Sequence, residues 1–246
     1  MKGVILAGGT GSRLHPLTRI TNKHLLPIYD RPMISYAIEA LVGAGVVEIM
    51  LVTGGTHAGE FLRLLGSGAE YGIERLSYGY QEKAGGIAEA LGLAESFVAG
   101  DRCVVLLGDN IFEGSIRPCV EAFSRQDAGA RVVLTHVADS AHLRHLGVAQ
   151  FNGDRRIERI VEKPAEPPSD YAVTGVYFYD TSVWKVLREL KPSGRGELEI
   201  TDVNNWFLEH GLMEYDMIEG FWGDAGESID AYYAVNDFVR GHAVRR

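Results

Sequence analysis

The chain of 246 residues is long enough for one sizeable hydrophobic core or for two small domains. It is 46% hydrophobic and 23% charged, which is ordinary for a globular protein, and its formal net charge of −9 argues against a nucleic-acid-binding surface. No apolar stretch approaches the ~18 residues of a membrane span. The chain runs from Met1 into an apolar segment without a signal-peptide pattern, and Cys103 and Cys119 lack metal-ligand spacing, so a cytoplasmic protein with reduced thiols is expected.

Strands and helices are predicted to alternate through the first half of the chain. Hydrophobic spacing predicts strand 2–6, helix 33–44, strand 46–52, helix 57–65, strand 73–80, a helix ending at Phe97, and strand 102–107. This alternation predicts an α/β fold whose sheet carries helices on both faces. Ligands of such sheets bind beyond the carboxyl ends of the strands, where we expect the glycine-rich segment 8–13, Gln81 and Asp109.

The second half of the chain is less regular. Strands are predicted at 130–137, 147–151, 156–162, 173–179 and 213–217, helices at 181–190, 200–209 and 229–240, and a loop at 221–226. The proline-rich run 164–168 is interpreted as a loop and not as a linker, because a predicted strand follows it directly. No internal repeat is found, and one compact domain with a substrate-side elaboration is expected.

The segment after the first strand, residues 7–13, reads Ala-Gly-Gly-Thr-Gly-Ser-Arg. Its glycines let backbone N–H groups approach a phosphate, and Arg13 adds a forked cation. A P-loop is excluded because no lysine follows Gly11, and a dinucleotide fingerprint is disfavoured because Leu14 replaces its third glycine. We interpret the segment as a nucleoside triphosphate loop, with a simple glycine-rich turn as the alternative.

Four charged residues outside this loop are candidates for the chemistry. Asp109 follows an apolar strand and Asp224 lies between glycines; each alone could be a turn former, but together they would suit Mg2+. Lys23 comes shortly after the glycine loop, and Lys163 precedes a proline, which predicts an extended backbone there. No serine or cysteine nucleophile arrangement is found, so a direct displacement on phosphorus is expected.

These motifs resemble those of the sugar-1-phosphate nucleotidyltransferases, specifically the glucose-1-phosphate thymidylyltransferases, and the resemblance covers essentially the whole chain. The segment 6–14 marks the broad family, whereas 171–175 and 196–202 are typical of the thymidylyl branch. The other matching segments are 23–27, 107–112 and 162–164. Compared with longer members, the chain is expected to lack the C-terminal helical extension, and feedback inhibition is therefore not carried over to it.

The resemblance implies a three-layer, Rossmann-like fold with a mixed, mostly parallel central sheet. It implies a single nucleotidyltransferase domain over residues 1–246, with a nucleotide-binding part at roughly 1–115 and a sugar-phosphate-binding part at roughly 116–246. It further implies a homo-oligomer, either a dimer or a tetramer. The expected partners are dTTP and glucose 1-phosphate, with no nucleic acid and no membrane.

The resemblance also implies a role for each matching residue. Catalytic roles fall to Arg13, Lys23, Asp109 and Lys163, with Arg13 and Lys23 on the departing pyrophosphate. The residues expected to hold Mg2+ are Asp109 and Asp224. The triphosphate cradle comprises Gly8, Gly9, Thr10, Gly11 and Ser12. Gln81 and Gly86 would bind the thymine ring. The remaining substrate-binding positions are Asn110, Gly147, Glu162, Val173 and Gly175.

The implied reaction is attack by a phosphate oxygen of glucose 1-phosphate on the α-phosphorus of dTTP, which gives dTDP-glucose and pyrophosphate. The same chemistry with UTP or with another sugar 1-phosphate is an alternative, since Gln81 could bind either ring. A non-catalytic nucleotide-sugar sensor and a nicotinamide oxidoreductase are further alternatives, the second weakened by Leu14. The sequence leaves open which deoxysugar pathway, rhamnose or another, the product would serve.

Overall fold

The computed structural model describes residues 1–243. The strands are β1 (Lys2–Ala7), β2 (Pro27–Ile28), β3 (Arg31–Pro32), β4 (Glu48–Gly54), β5 (Arg75–Gln81), β6 (Cys103–Leu107), β7 (Asn110–Phe112), β8 (Ala130–His136), β9 (Gly147–Phe151), β10 (Ile157–Glu162), β11 (Tyr171–Tyr179), β12 (Met213–Met217) and β13 (Trp222–Asp224). The helices are α1 (Met33–Gly43), α2 (Ala58–Leu65), α3 (Ile87–Gly92), α4 (Glu95–Val98), α5 (Arg117–Arg125), α6 (Ser140–Leu143), α7 (Val183–Glu189), α8 (Ile200–Glu209) and α9 (Ile229–Ala243).

The longer elements lie close to their predicted positions, and the errors fall on short or weakly patterned ones. The loop predicted at 221–226 is wrong, because it contains the three-residue strand β13, and its partner β7 was not predicted either. Three residues are too few to show a strand period. Helix α5 was missed since it buries only Cys119, Val120 and Phe123 on an otherwise polar segment. The helix predicted to end at Phe97 is divided into α3 and α4.

The chain forms two compact units that interleave along the sequence. The amino-terminal unit comprises residues 2–84, 106–117 and those from Gly220 onward, and the central unit comprises Met1, 85–105 and 118–219. Strand β6 contributes its first three residues to the central unit and its last two to the amino-terminal unit. The functional division predicted near residue 115 stays a prediction.

In the amino-terminal unit, β1, β4 and β5 form a parallel ladder. Parallel strands place their carboxyl ends at the same edge of a sheet. The register sets Ala7 beside Thr53 and Gly54 beside Gln81, so the segments that follow β1 and β5 begin at one edge. The predicted placement of the glycine loop and Gln81 at this edge is confirmed.

A hydrophobic cluster anchors the segments that leave this edge. It combines residues from the segment 14–33 with others from β7, the turn after β13 and helix α9, and its buried members are Leu14, Leu26, Ile28, Met33, Ile111, Ala225, Tyr232 and Val235. The Tyr232 hydroxyl donates a hydrogen bond to the Pro27 carbonyl, which ties α9 to this cluster. The packing of this cluster thereby fixes the position of the neighbouring turns, which carry polar residues.

The central unit contains the antiparallel part of the mixed sheet. Strands β10, β9, β11 and β8 pair antiparallel in that order, and β12 pairs parallel with β8. Helix α8 is fastened to β10 by Asn205, whose side chain exchanges two hydrogen bonds of 2.9 Å with the backbone of Ile160. The register pairs Glu162 with Gly147.

The α/β fold and its mixed sheet are confirmed by these pairings. Within residues 1–243, no helix is both long enough and apolar enough to cross a membrane.

Candidate active site

The glycine loop after β1 turns sharply and exposes its backbone. Gly9 and Gly11 have φ values of 92° and 62°, in the left-handed region that favours glycine. Gly11 precedes a 3₁₀ turn, Ser12–Leu14, in which Leu14 is fully buried while Arg13 is exposed. The buried leucine anchors the turn, and the exposed guanidinium remains available to an anion.

Lys23 lies against the glycine loop, as the sequence predicts. A Cβ on Gly11 would lie 3.4 Å from Lys23 Cβ and 3.1 Å from Thr18 Cγ2. The Thr18 hydroxyl donates to the Gly11 carbonyl over 2.7 Å. Asn22 donates to the Ala7 carbonyl at the end of β1 over 3.2 Å, which holds the turn bearing Lys23 beside the strand. The cation is therefore positioned by the backbone of the same strand and loop.

The Lys23 ammonium forms an ion pair with Oδ2 of Asp109, and both side chains are mostly buried. Gly226 packs on this pair, because a Cβ there would clash with Asp109 Oδ2 and lie 2.8 Å from Lys23 Nζ. The Gly226 N–H donates to Asp224 Oδ1 over 2.8 Å, and the Ala225 N–H donates to the Asp109 carbonyl over 2.9 Å. The two candidate aspartates are thus brought to one place.

The charges of this cluster act strongly on one another. Burial lowers the pKa of the Lys23 ammonium, but the Asp109 and Asp224 carboxylates outweigh it, so that pKa is raised. Burial opposes ionisation of Asp109, yet the Lys23 charge holds its pKa well below the usual range. Burial, followed by the Asp109 charge, raises the pKa of Asp224 to about 7. The Arg13 charge acts on Lys23 and Asp224 as well, so the four groups share one electrostatic environment.

His24, next to Lys23, is a neutral structural residue. Its side chain is buried, its Nε2 lies 4.0 Å from Asp109 Oδ2, and burial together with the Lys23 charge lowers its pKa to about 3. Nδ1 lies 2.8 Å from Oδ1 of Asn22, an acceptor, so the neutral ring carries its proton on Nδ1. His24 therefore adds no charge to the cluster at neutral pH.

Asp109 and Asp224 are the residues of the site that could hold a divalent cation. Burial and the Asp109 charge oppose ionisation of Asp224, and a cation bound between the two carboxylates would relieve that repulsion. Among the described residues, no group of three or more histidine, cysteine, aspartate or glutamate side chains could hold a metal. Two carboxylates suit an ion whose other ligands are water and substrate phosphates, and not one held by protein ligands alone.

Gln81 ends β5 with its side chain buried beside the glycine loop. A Cβ on Gly8 would lie 3.2 Å from its Oε1. A carboxamide presents one acceptor and two donors in a plane, which complements the edge of a pyrimidine that carries an N–H and a carbonyl. The predicted base-binding role of Gln81 fits this position and stays a prediction.

The central unit carries a second cluster, centred on Glu162. The Thr201 hydroxyl donates to its Oε2 over 2.7 Å, and Oε1 lies 3.7 Å from Lys163 Nζ and 3.9 Å from the Arg195 guanidinium. A Cβ on Gly147, the strand partner of Glu162, would lie 3.5 Å from Oε2. One carboxylate is therefore flanked by two cations that could bind a phosphate.

The backbone of Lys163 is not extended, and that prediction is wrong. Its φ is 46°, in the left-handed region, and its N–H donates to the Leu146 carbonyl over 2.9 Å. This bond continues the pairing of β9 with β10 by one residue, after which the chain turns away before Pro164. The left-handed backbone of Lys163 therefore sets the direction in which the chain continues. A following proline disfavours the right-handed helical conformation at this position but not the left-handed one.

Three other predicted positions of the central unit, Gly86, Val173 and Gly175, are described by their backbone contacts and their place in a strand. Gly86 has a φ of 101° and touches Leu198 so closely that a Cβ would clash with the Leu198 carbonyl. The Leu198 N–H donates to the Gly85 carbonyl over 2.8 Å. Val173 and Gly175 lie within β11, where Val173 is paired with Leu134.

The structure adds residues to which the sequence assigned no role. They are Arg195 and Thr201 beside Glu162, Gly226 on the Lys23–Asp109 pair, and Trp222 next to Asn110. Arg195 and Thr201 adjoin or belong to the segment 196–202 that carries the resemblance, which was the available signal. Nothing in the sequence indicates that Gly226 touches Asp109, because this contact depends on how two distant segments pack.

Comparison with known proteins shows the family to which the chain belongs. A family model described as nucleotidyl transferase matches residues 2–241. Glucose-1-phosphate thymidylyltransferases from Actinoplanes sp. and Neisseria meningitidis are 44% and 43% identical to the chain, over 98% and 92% of it, and the matches cover 78% of each relative. A crystal structure from Bacillus anthracis, described as a candidate enzyme of this name in complex with sucrose, shares 52% identity with a TM-score of 0.92, covering 98% of this chain and 95% of that one.

A UDP-glucose pyrophosphorylase complexed with UDP-glucose is more distant, with 25% identity and a TM-score of 0.83 over 100% of this chain and 99% of that one. The fold is therefore shared across enzymes that are named for different nucleotides. The chain belongs to the nucleotidyl transferase family.

Proposed function

We propose that the protein transfers a thymidylyl group from dTTP to α-D-glucose 1-phosphate, giving dTDP-glucose and pyrophosphate. The observation that carries the proposal is the cluster of Arg13, Lys23, Asp109 and Asp224 next to a glycine loop. Cations and a metal-binding pair of carboxylates are what a reaction between two anions requires. Relatives at 44% and 43% identity are named for this activity.

In the amino-terminal unit, the backbone of Gly8, Gly9, Thr10, Gly11 and Ser12 binds the triphosphate. Arg13 and Lys23 neutralise the charge that gathers on the departing pyrophosphate. Gln81 binds the thymine ring. Asp109 and Asp224 hold Mg2+, which lowers the repulsion between the reacting anions when it is bound.

In the central unit, Lys163 binds the phosphate of the sugar, and Arg195, which also lies near Glu162 Oε1, assists it. Glu162 is held by Thr201 and offers its carboxylate to the sugar hydroxyls. Gly147, Val173 and Gly175 line the sugar pocket of this unit. In the amino-terminal unit, Asn110 is a further substrate-binding position. No general base is required, since a phosphate oxygen of the sugar is already nucleophilic.

The same reaction with UTP is the second candidate, because the fold is shared with a UDP-glucose pyrophosphorylase and Gln81 complements uracil as well as thymine. The relatives at higher identity favour dTTP. We further propose that the enzyme works in the cytoplasm as a homo-oligomer. It would supply dTDP-glucose to a deoxysugar pathway such as that of rhamnose.

The test is to incubate the protein with Mg2+, glucose 1-phosphate and each common nucleoside triphosphate in turn, and to measure pyrophosphate. We expect release with dTTP that depends on both the sugar phosphate and the metal. Preference for UTP would correct the base assignment. If no nucleotide gives pyrophosphate although dTTP binds, the protein would be a non-catalytic nucleotide-sugar sensor and not an enzyme.

A further inference from the structure

A chain of hydrogen bonds leads from Trp222 to the Lys23–Asp109 pair. The indole N–H of Trp222 donates to Oδ1 of Asn110 over 2.7 Å. Nδ2 of Asn110 donates in turn to Oδ1 of Asp109 over 3.2 Å. The other carboxylate oxygen, Oδ2, is the one paired with Lys23. All four residues belong to the amino-terminal unit.

The pairing of β7 with β13 explains why these residues meet. The register places Asp224 opposite Asn110 and Trp222 opposite Phe112. Residues two apart on a strand point to the same face, so Trp222 and Asp224 share the face of Asn110. A large aromatic side chain can reach a residue diagonally across such a pair. The ribbon thus carries a candidate metal ligand and the tryptophan side by side.

The tryptophan also determines which way the Asn110 amide points. An indole N–H can only donate, so Asn110 has to present its oxygen to Trp222. Its NH₂ group is then directed to Asp109, where it satisfies Oδ1. If the amide were turned over, its oxygen would face the carboxylate and repel it. The indole N–H therefore selects the amide orientation that supports the aspartate.

We infer that Trp222 is a positioning residue: through Asn110 it holds Asp109 Oδ1, so that Oδ2 remains directed to Lys23 and to a metal. This inference rests on the metal role of Asp109 in the proposed function. Groups that orient a metal ligand through a hydrogen bond typically change metal affinity 10–100-fold when they are removed. Trp222 would act without touching the metal itself.

The test compares Trp222→Phe, Asn110→Ala and the double variant. Trp222→Phe removes the N–H donor and keeps an aromatic ring. We expect it to raise the Mg2+ concentration for half-maximal pyrophosphate release about 10-fold, with little change in the KM for glucose 1-phosphate. Asn110→Ala should raise it at least as much. Adding Trp222→Phe to Asn110→Ala should have no further effect, because the two residues act in series.

Trp184→Phe is the matched control. Its indole nitrogen is buried and has no hydrogen-bond partner among the described residues, and it lies in the central unit. The same substitution there should leave the Mg2+ dependence unchanged. Thermal melting of each variant separates a loss of packing from a change at the metal site.

A second readout does not need turnover. The protein has three tryptophans, so the indole N–H resonance of Trp222 is identified by its loss in Trp222→Phe. Asn110→Ala should shift this resonance upfield, because the hydrogen bond is lost, and should leave the other two in place. The NMR measurement tests the hydrogen bond between Trp222 and Asn110 whether or not the protein is active. A failure of every substrate pair to release pyrophosphate would contradict the proposed function but not this hydrogen bond.

Three results would overturn the inference. One is an indole resonance that does not respond to Asn110→Ala. Another is an effect of Trp222→Phe that persists in full in the Asn110→Ala background. The third is an unchanged Mg2+ dependence accompanied by a raised KM for glucose 1-phosphate, which would make Trp222 a direct contact of the sugar.

Discussion

At the scale of single residues, the candidate site is characterised by cations and carboxylates that stabilise one another's charge. Lys23 is held where Asp109 and Asp224 stabilise its charge, and Arg13 adds a second cation to the same environment. Such a preorganised cluster can stabilise a leaving pyrophosphate without having to reorganise during the reaction. In the central unit, Lys163 and Arg195 also lie near a carboxylate, that of Glu162, but their side chains are more exposed than that of Lys23.

The phosphate-binding cations should be sensitive to truncation. Replacing Arg13 or Lys163 by alanine should lower kcat/KM for pyrophosphate release by on the order of 10²–10³, because one charge contact in a transition state is lost. Lys185→Ala is the control, since that lysine is exposed on α7. Near-normal turnover of Arg13→Ala or Lys163→Ala would remove that residue from the proposed site.

His24 should make stability depend on pH. Its pKa is about 3 in the folded protein and 6.5 as a free side chain, so only the unfolded chain takes up its proton between these values. The contribution of neutral His24 to the free energy of unfolding is therefore fully present above pH ~6.5. It decreases as the pH falls, by about 2 kcal/mol between pH 6.5 and 5.

His24→Gln removes this titration and retains a side chain that can donate to Asn22. Urea unfolding at pH 7 and at pH 5 should therefore show a smaller loss of unfolding free energy for the variant than for the wild type. Equal losses for the two proteins would show that His24 is not held neutral by burial.

At the scale of elements, the β7–β13 ribbon brings Asp109 and Asp224 together. Strand β7 begins directly after Asp109 and pairs with the strand that ends at Asp224. The chain then turns at Gly226, which packs against Oδ2 of Asp109. The ribbon and its turn thus bring both candidate metal ligands close to the Lys23 ammonium.

Gly226→Ala should damage the site without unfolding the protein. The added methyl group would clash with Asp109 Oδ2 and displace the Lys23 ammonium, and a misplacement of about 1 Å can cost roughly 10²-fold in rate. The measurement is kcat for pyrophosphate release, with thermal melting as a check on folding. Gly59→Ala on α2, where a Cβ meets nothing within 4 Å, should keep normal turnover. Full activity of Gly226→Ala would mean that the turn does not approach the reacting groups.

The sequence predicts those parts of the site that depend on local patterns. The glycine loop, Gln81 and Asp109 each lie at or just after the end of a strand, and parallel strands bring such positions to one edge whatever the rest of the chain does. It does not predict β7, β13 or the contact of Gly226 with Asp109, because three-residue strands have no readable period and the contact joins distant segments. The left-handed backbone of Lys163 was also missed, since it follows from the strand pairing that ends there.

At the scale of the whole molecule, the chain divides into two compact units that each carry one group of candidate residues. The amino-terminal unit holds the glycine loop, both aspartates and Gln81, and the central unit holds Glu162, Lys163 and Arg195. The two units are interleaved along the chain, so a simple division of the sequence at one residue does not describe them. The resemblance to relatives nevertheless extends over both.

The measurement that tests the central claim most directly is ³¹P NMR of a reaction containing dTTP, glucose 1-phosphate and Mg2+. The wild type should produce the signals of dTDP-glucose and pyrophosphate in equal amounts. Asp109→Asn and Asp224→Asn, both folded by thermal melting, should slow their appearance by about 10² or more. A folded wild type that yields no dTDP-glucose, or aspartate variants as fast as the wild type, would contradict the account.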